Sequence, residues 1–305
     1  MIQTVRLVLK QSRFEVVVLG GTLVVLGIAI GYLAWRLASY QADVQACLDP
    51  TACRLIREEH LRFESLATPF AAAGVLLPIL AGIILGVPIV AREVEQGTAS
   101  LPWSISSSRL NWLFKRVAIL GIVLGAVAAI PSIALDQLTG ALLPNVDVSH
   151  SYQLADARGA IVEARTFAAF GIATFAGALT GRSLAGVLLA IFASAALLVG
   201  LQSLDEAWLR SDAVLLPDPP GAPTESLITS IGYALPDGRI VDWATAIQVI
   251  DDPSVAPEDV FPPRYFGVSA ALAPDKRLRE SGIILLAGFV CVASAAFVVD
   301  RRRPY

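Results

Sequence analysis

Two stretches of this sequence carry residues whose types and spacing could do chemistry. The first is Cys47-Leu48-Asp49-Pro50-Thr51-Ala52-Cys53, where Pro50 favours a turn that can bring the two thiols together for a disulfide. A helix through the same residues would instead point thiols six positions apart away from each other and leave them unpaired. The second is Arg92-Glu93-Val94-Glu95-Gln96-Gly97-Thr98-Ala99-Ser100-Leu101-Pro102-Trp103-Ser104, continuing through Ser107-Ser108-Arg109-Leu110-Asn111-Trp112 to Lys115-Arg116. Its guanidinium and carboxylate groups, a Gly-Thr break and the returning bases can dock another polypeptide. The same features also describe a solvated loop that only fixes topology.

Catalysis by the chain itself finds no residues to work with. The lysines are Lys10, Lys115 and Lys276, and none follows a glycine, so a GxxxxGK[ST] phosphate cradle is absent. His60 and His150 lie far apart with no HExxH or Cys/His cluster around them, so no metal site is expected. A GxSxG nucleophile elbow is missing too. The chain reads as a non-enzyme that binds no cofactor of its own.

The elements that must position these stretches are set by composition. Of 305 residues, 55% are hydrophobic and 16% charged, against about a quarter charged in soluble domains. The mean hydropathy is +0.67. The apolar residues gather in stretches of the length that crosses a hydrocarbon core of about 30 Å, at 16–35, 67–91, 117–134, 160–180, 184–202 and 281–299. The first is longer than the apolar region of a signal peptide and reads as an anchor. Pro69, Pro78 and Pro88 in the second are expected to kink a helix that its bundle neighbours support. Paired glycines one turn apart, Gly27 with Gly31, Gly82 with Gly86, Gly121 with Gly125 and Gly177 with Gly181, predict close helix approach. The middles of the spans lack ionisable residues. Asp136, Glu163, Arg165, Arg279 and Glu280 fall toward one set of ends, where anchoring or ion pairing is the default reading.

Charge orients the chain. With the amino terminus inside, segments 1–15, 92–116, 181–183 and 300–305 carry a net +7 and the opposite side a net −10, which is the cationic-inside arrangement. Both termini are then cytoplasmic, and Cys47 and Cys53 lie outside, where a bridge can persist. Ahead of the first span, Arg6, Lys10 and Arg13 share one helical face, while Ile2, Val5, Val8 and Leu9 cover another, giving an amphipathic segment suited to the inner leaflet or a plain topogenic flank.

Three segments result: 1–203, with the amphipathic helix, five spans and the internal loop 92–116; an external region 204–280; and 281–305, with the last span and tail. The external region carries 13 acids and 10 of the 18 prolines. In it, 228–235 and 239–244 flank Pro236-Asp237-Gly238, which predicts a hairpin, with Trp208, Trp243, Tyr265 and Phe266 as its small core. A loosely ordered acidic loop is the alternative. The fold class is therefore all-α integral membrane, with six transmembrane helices, an amphipathic N-terminal helix and a small external α/β or hairpin-containing region.

On the loop residues, the sequence resembles permease subunits of ABC-2 type transporters, the type V exporters, especially the actinobacterial kind. The family's second span typically ends in RExExGT, followed by a Pro or Trp, a Ser-rich patch, an Arg and a Trp near a Lys. The chain matches at Arg92, Glu93, Glu95, Gly97, Thr98, Trp103, Ser106, Arg109, Trp112 and Lys115. The resemblance implies a half-transporter in a bacterial plasma membrane. A second permease chain, identical or related, would face it, and two copies of a separately encoded ATPase would hold ATP and Mg. It implies that Arg92, Glu93, Glu95, Gly97, Thr98 and Arg109 couple the loop to that ATPase. Glu93 and Glu95 would link the loop to the ATPase or to the amino-terminal helix, and Gly97 and Thr98 would set the turn. The cargo would be apolar or amphiphilic, carried outward by alternating access, with membrane lipid as surroundings and no nucleic acid partner. A different class remains open: a sensor or immunity protein that binds a ligand through the external region.

Overall fold

The computed structural model describes residues 8, 10–47, 49–97, 108–144, 146–152, 154–216, 227–250 and 255–301. Its helices and strands, in chain order, are α1 (Arg13–Ala46), α2 (Pro50–Gly86), α3 (Pro88–Glu95), α4 (Arg109–Leu142), α5 (Ala160–Thr180), α6 (Ser183–Ser211), β1 (Val214–Leu215), β2 (Leu227–Ala234), β3 (Ile240–Val241), α7 (Trp243–Val249), α8 (Pro257–Val260), β4 (Pro263–Val268) and α9 (Ala273–Arg301). Six helical segments are long and apolar enough to cross a membrane: Arg13–Tyr40, Cys53–Glu95, Arg109–Leu142, Ala160–Thr180, Ser183–Ser211 and Ala270–Arg301. The expected fold class, a helical membrane protein with a small sheet-containing region, is the one observed.

Helices outrun the apolar stretches that betray them. α2 has 37 residues, about 55 Å at the helical rise and well beyond a hydrocarbon core of roughly 30 Å. Pro69 and Pro78 are absorbed inside it, whereas Pro88 splits the expected span 67–91 into two helices. Proline has no N–H to donate one turn back and its ring crowds the carbonyl there, so α2 ends at Gly86, and Pro88 opens α3, where a missing donor costs nothing. Cys47 falls between α1 and α2 and is bridged to Cys53 across a Cα separation of 5.6 Å. That is the turn arrangement rather than the helical one. Nearby, Arg36 of α1 hydrogen-bonds Tyr40, pairs with Glu59 of α2 at 3.0 Å and lies 4.5 Å over the Tyr40 ring.

The chain divides into two compact units. The first holds residues 1–144, 154–197 and 277–305. In it α1 packs against α4 and α2, and α2 against α5. Glycine makes these approaches possible: a Cβ on Gly82 would sit 2.7 Å from the Thr166 carbonyl oxygen, one on Gly86 2.6 Å from that of Phe170, and one on Gly27 2.6 Å from the Ile130 side chain. Gly125 is similarly tight against Phe167, while Gly31 and Gly121 make only ordinary contacts. Gly181 departs from the packing expectation, since it ends α5 in the left-handed conformation, with φ of 63°. At the opposite end of the bundle from Glu93, Arg165 pairs with Glu280 at 3.2 Å, an ion pair linking α5 to α9.

The second unit, 145–153 with 198–276, contains an antiparallel sheet of strand order β1-β4-β2-β3. The expected hairpin is present: β2 pairs with β3, and Gly238 takes a φ of 84° in the turn. Its second arm is shorter than the expected 239–244. Asp242 accepts the Thr245 N–H at 2.9 Å and starts α7, converting the rest of that run into helix. The small core is Tyr233, Leu235, Ala246 and Phe261. Of the four aromatic residues expected there, none joins it, and Trp243 is 55% exposed. Two other aromatic residues, Tyr233 of β2 and Phe261, fill it instead, with Ala246 of α7 beside them.

Candidate functional site

α3 is a short arm with one buried and one charged side. Ile89, Val90 and Ala91 are buried, so Arg92, Glu93 and Glu95 fall on the turn that emerges from the core. The helix ends as the Gln96 N–H donates to the Arg92 carbonyl at 3.0 Å and the Gly97 N–H to that of Val94 at 3.1 Å. Gly97 has a φ of 68°, with nothing within 4 Å of the place a Cβ would occupy. Its role in the structure is therefore conformational: a residue without a Cβ is favoured in this left-handed stop.

Each charged group on the arm finds a different partner. Arg92 pairs with Glu15 of α1 at 3.0 Å. Glu93 pairs with Arg116 of α4 at 2.8 Å, with both side chains mostly covered, at 15% and 12% exposure. Arg116 also hydrogen-bonds Gln11, donates to the Ile89 carbonyl at 3.3 Å and lies 4.7 Å over the Trp112 ring. A planar guanidinium suits this position because it can satisfy several acceptors while its face stacks. The Glu95 carboxylate accepts from Ser183, taking the N–H at 3.0 Å and the hydroxyl at 2.6 Å. α4 begins where the Ser108 hydroxyl accepts the Asn111 N–H at 3.0 Å, and Arg109 donates to the Asp300 carbonyl at 3.4 Å.

Arg92, Glu93, Glu95 and Gly97 thus lie on α3 or just past its end, Arg109 opens α4 with its guanidinium on α9 instead, and Thr98, Trp103 and Ser106 lie outside the described residues. Between the arm, α4 and the residues ahead of α1 is a cavity of about 300 Å³, with Gln11, Glu15, Arg92, Glu93 and Arg116 on its walls. Balanced charge of both signs makes it a junction between elements rather than a pocket selective for one ion. Among the described residues no group of His, Cys, Asp and Glu is placed to hold a metal. A second cavity of about 330 Å³ is almost wholly apolar, formed by Gly121 of α4, Phe167 and Phe170 of α5, and Leu285, Gly288 and Phe289 of α9.

Sequence reasoning did not find Gln11, Glu15 or Ser183 as partners. Glu15 carried a weak signal, as the lone acid in a basic flank, and Ser183 another, as the residue after the Gly181-Arg182 turn.

Six helical segments long and apolar enough to cross a membrane, with a polar elbow at 92–116 between the second and third of them, define a multi-pass membrane protein. A family model described as ABC-2 membrane transporter related matches residues 20–210, and the chain belongs to that family. The match takes in the whole elbow and stops before the sheet of the second unit. Permeases of this family are generally the non-catalytic membrane component and work with ATPase partners. No curated protein and no solved structure matches the chain.

Proposed function

We propose that the chain is one permease half of an ATP-driven exporter of the actinobacterial type, set in a bacterial plasma membrane with both termini cytoplasmic. Two such halves, identical or related, face one another, and each rests on one copy of a separately encoded ATPase that carries ATP and Mg. The observation that carries this reading is the elbow: Arg92, Glu93 and Arg116 bind α3 to α1 and α4 through ion pairs that span 77 and 23 positions of sequence, in a chain of a transporter family. A loop so braced can pass a push from a partner into the helices instead of yielding to it. Gly97 turns the chain at the end of α3, and Arg109 opens α4 beside α9.

The cargo is apolar or amphiphilic. Its support is the apolar cavity beside Phe167, Phe170 and Phe289, together with spans whose middles carry no charge, where a polar solute would find no partner. The test is Glu93→Lys in the full chain, expressed with its ATPase. Charge reversal breaks the Glu93–Arg116 pair inside the permease and sets two cations together there, so α3 loses its bracing to α4 and recovery of the ATPase with the folded permease should fall severalfold. Undiminished recovery with intact ATP-dependent efflux would remove Glu93 and Arg116 from the coupling site. A second reading, ligand sensing through the sheet unit, is favoured by that unit having its own small core. Deleting 216–260 would abolish ligand binding under that reading and leave ATPase association intact under the first.

A further inference from the structure

The two ion pairs fasten α3 to α1 and α4, yet the arm has another set of contacts on a different side. At its base, Val87 is nested between glycines: a Cβ on Gly177 of α5 would lie 2.4 Å from the Val87 carbonyl oxygen, and one on Gly186 of α6 2.8 Å from a Val87 methyl. At its tip, eight positions and roughly 12 Å further along the axis, Glu95 meets the first turn of α6. There Ser183 offers its N–H and its hydroxyl to one carboxylate oxygen, at 3.0 and 2.6 Å. The free N–H groups and positive dipole end of a helix favour a carboxylate at that position, so an acid from another element serves as the cap. The α5–α6 turn is itself well defined, with Gly181 left-handed and the Thr180 hydroxyl hydrogen-bonded to the Arg182 carbonyl at 3.2 Å.

We propose that Glu95 is a positioning residue that ties the tip of α3 to the α5–α6 hairpin, so that load entering at the loop moves α3, α5 and α6 as one piece. The inference rests on the ATP-driven reading above. On the side facing α5 and α6 the nest around Val87 is one point of attachment and Glu95 the second, so the pair fixes the direction of α3 against that hairpin, while the ion pairs hold its other side. Immediately past the tie, Gly97 stands in open space, so the loop leaves the lever just beyond its fastened end. Glu95 thereby acts within the permease, and its need is for an acceptor facing Ser183 rather than for a charge facing the ATPase.

That distinction sets the experiment. The complete permease–ATPase complex is reconstituted in nanodiscs in a Cys291→Ala background, with spin labels at Ile28→Cys in α1 and Phe192→Cys in α6, both exposed positions. Electron–electron distances are compared without nucleotide and after trapping with Mg-ATP and vanadate. The parent complex should show a nucleotide-dependent shift between α1 and α6. Glu95→Ala should lose more than half of that shift while retaining the ATPase in the complex, and Glu95→Gln, which keeps an acceptor oxygen, should restore most of it. An alanine variant that shifts like the parent overturns the tie, as does one that releases the ATPase, or a glutamine variant that fails like alanine. A parent complex with no nucleotide-dependent shift overturns the exporter reading itself, and the tie with it.

Discussion

Arg116 shows what one guanidinium can join: Glu93, Gln11, the Ile89 carbonyl and the Trp112 ring all meet it. The Glu93 pair is largely shielded from solvent, so breaking one side should cost about 1–3 kcal/mol, mainly through the charge left unmatched. Glu93→Lys and Arg116→Glu should each lower the thermal midpoint of the purified chain, and the double exchange should recover most of the loss. Equal destabilisation in the double variant would show that the pair contributes nothing as a pair. Glycines separate by a similar comparison. Gly177→Ala drives a methyl into the Val87 carbonyl and should cost about 1–3 kcal/mol. Gly97→Ala meets no atom and bears only the left-handed backbone strain, about 1 kcal/mol, which a melting series in one detergent would resolve. At this scale the sequence was legible by residue type: the acids and bases of the RExExG run could be singled out. Their partners were not, because Glu15, Arg116 and Ser183 lie 77, 23 and 88 positions away, and no local spacing encodes contacts of that range.

Elements were legible where lipid dictates their composition and less so where it does not. The six apolar stretches give six helices because an unpaired backbone group in hydrocarbon is too costly for any other spanning structure with these lengths. Their true ends were hidden, since α1 and α2 continue into polar sequence that carries no hydropathy signal, held there by Arg36, Glu59 and the Cys47–Cys53 bridge. Cys47→Ser should loosen that junction by about 2 kcal/mol, given the short loop closed. Reducing agent should lower the melting temperature of the parent chain and leave the variant unchanged. In the second unit the hairpin turn was readable from Pro236-Asp237-Gly238, but the switch to α7 hinged on one side-chain contact. The Asp242 carboxyl is held below its ordinary range by the Thr245 hydroxyl and N–H. A depressed folded-state value means that the cap's contribution is complete above the ordinary carboxylate range and fades as pH falls through the lower value. Protection of the α7 amides, relative to their intrinsic exchange rates, should therefore persist at pH 5 and fall only in stronger acid, while Asp242→Ala should show low protection at both.

At the scale of the whole molecule the chain holds two units, a helical one that carries the braced elbow and a separately cored one, 145–153 with 198–276, that carries the sheet. Its sequence carries no GxxxxGK[ST] phosphate cradle, and the proposed function assigns ATP hydrolysis to a second polypeptide that the elbow would engage. The direct measurement is to recover the tagged full-length chain from its native membranes in mild detergent, then identify the co-purifying proteins by mass and assay ATP hydrolysis. An ABC ATPase present in near-equal amount, with hydrolysis that survives washing and falls away when the elbow carries Glu93→Lys, is the predicted result. Recovery of folded chain with no nucleotide-binding subunit beside it and no ATP hydrolysis would contradict the account.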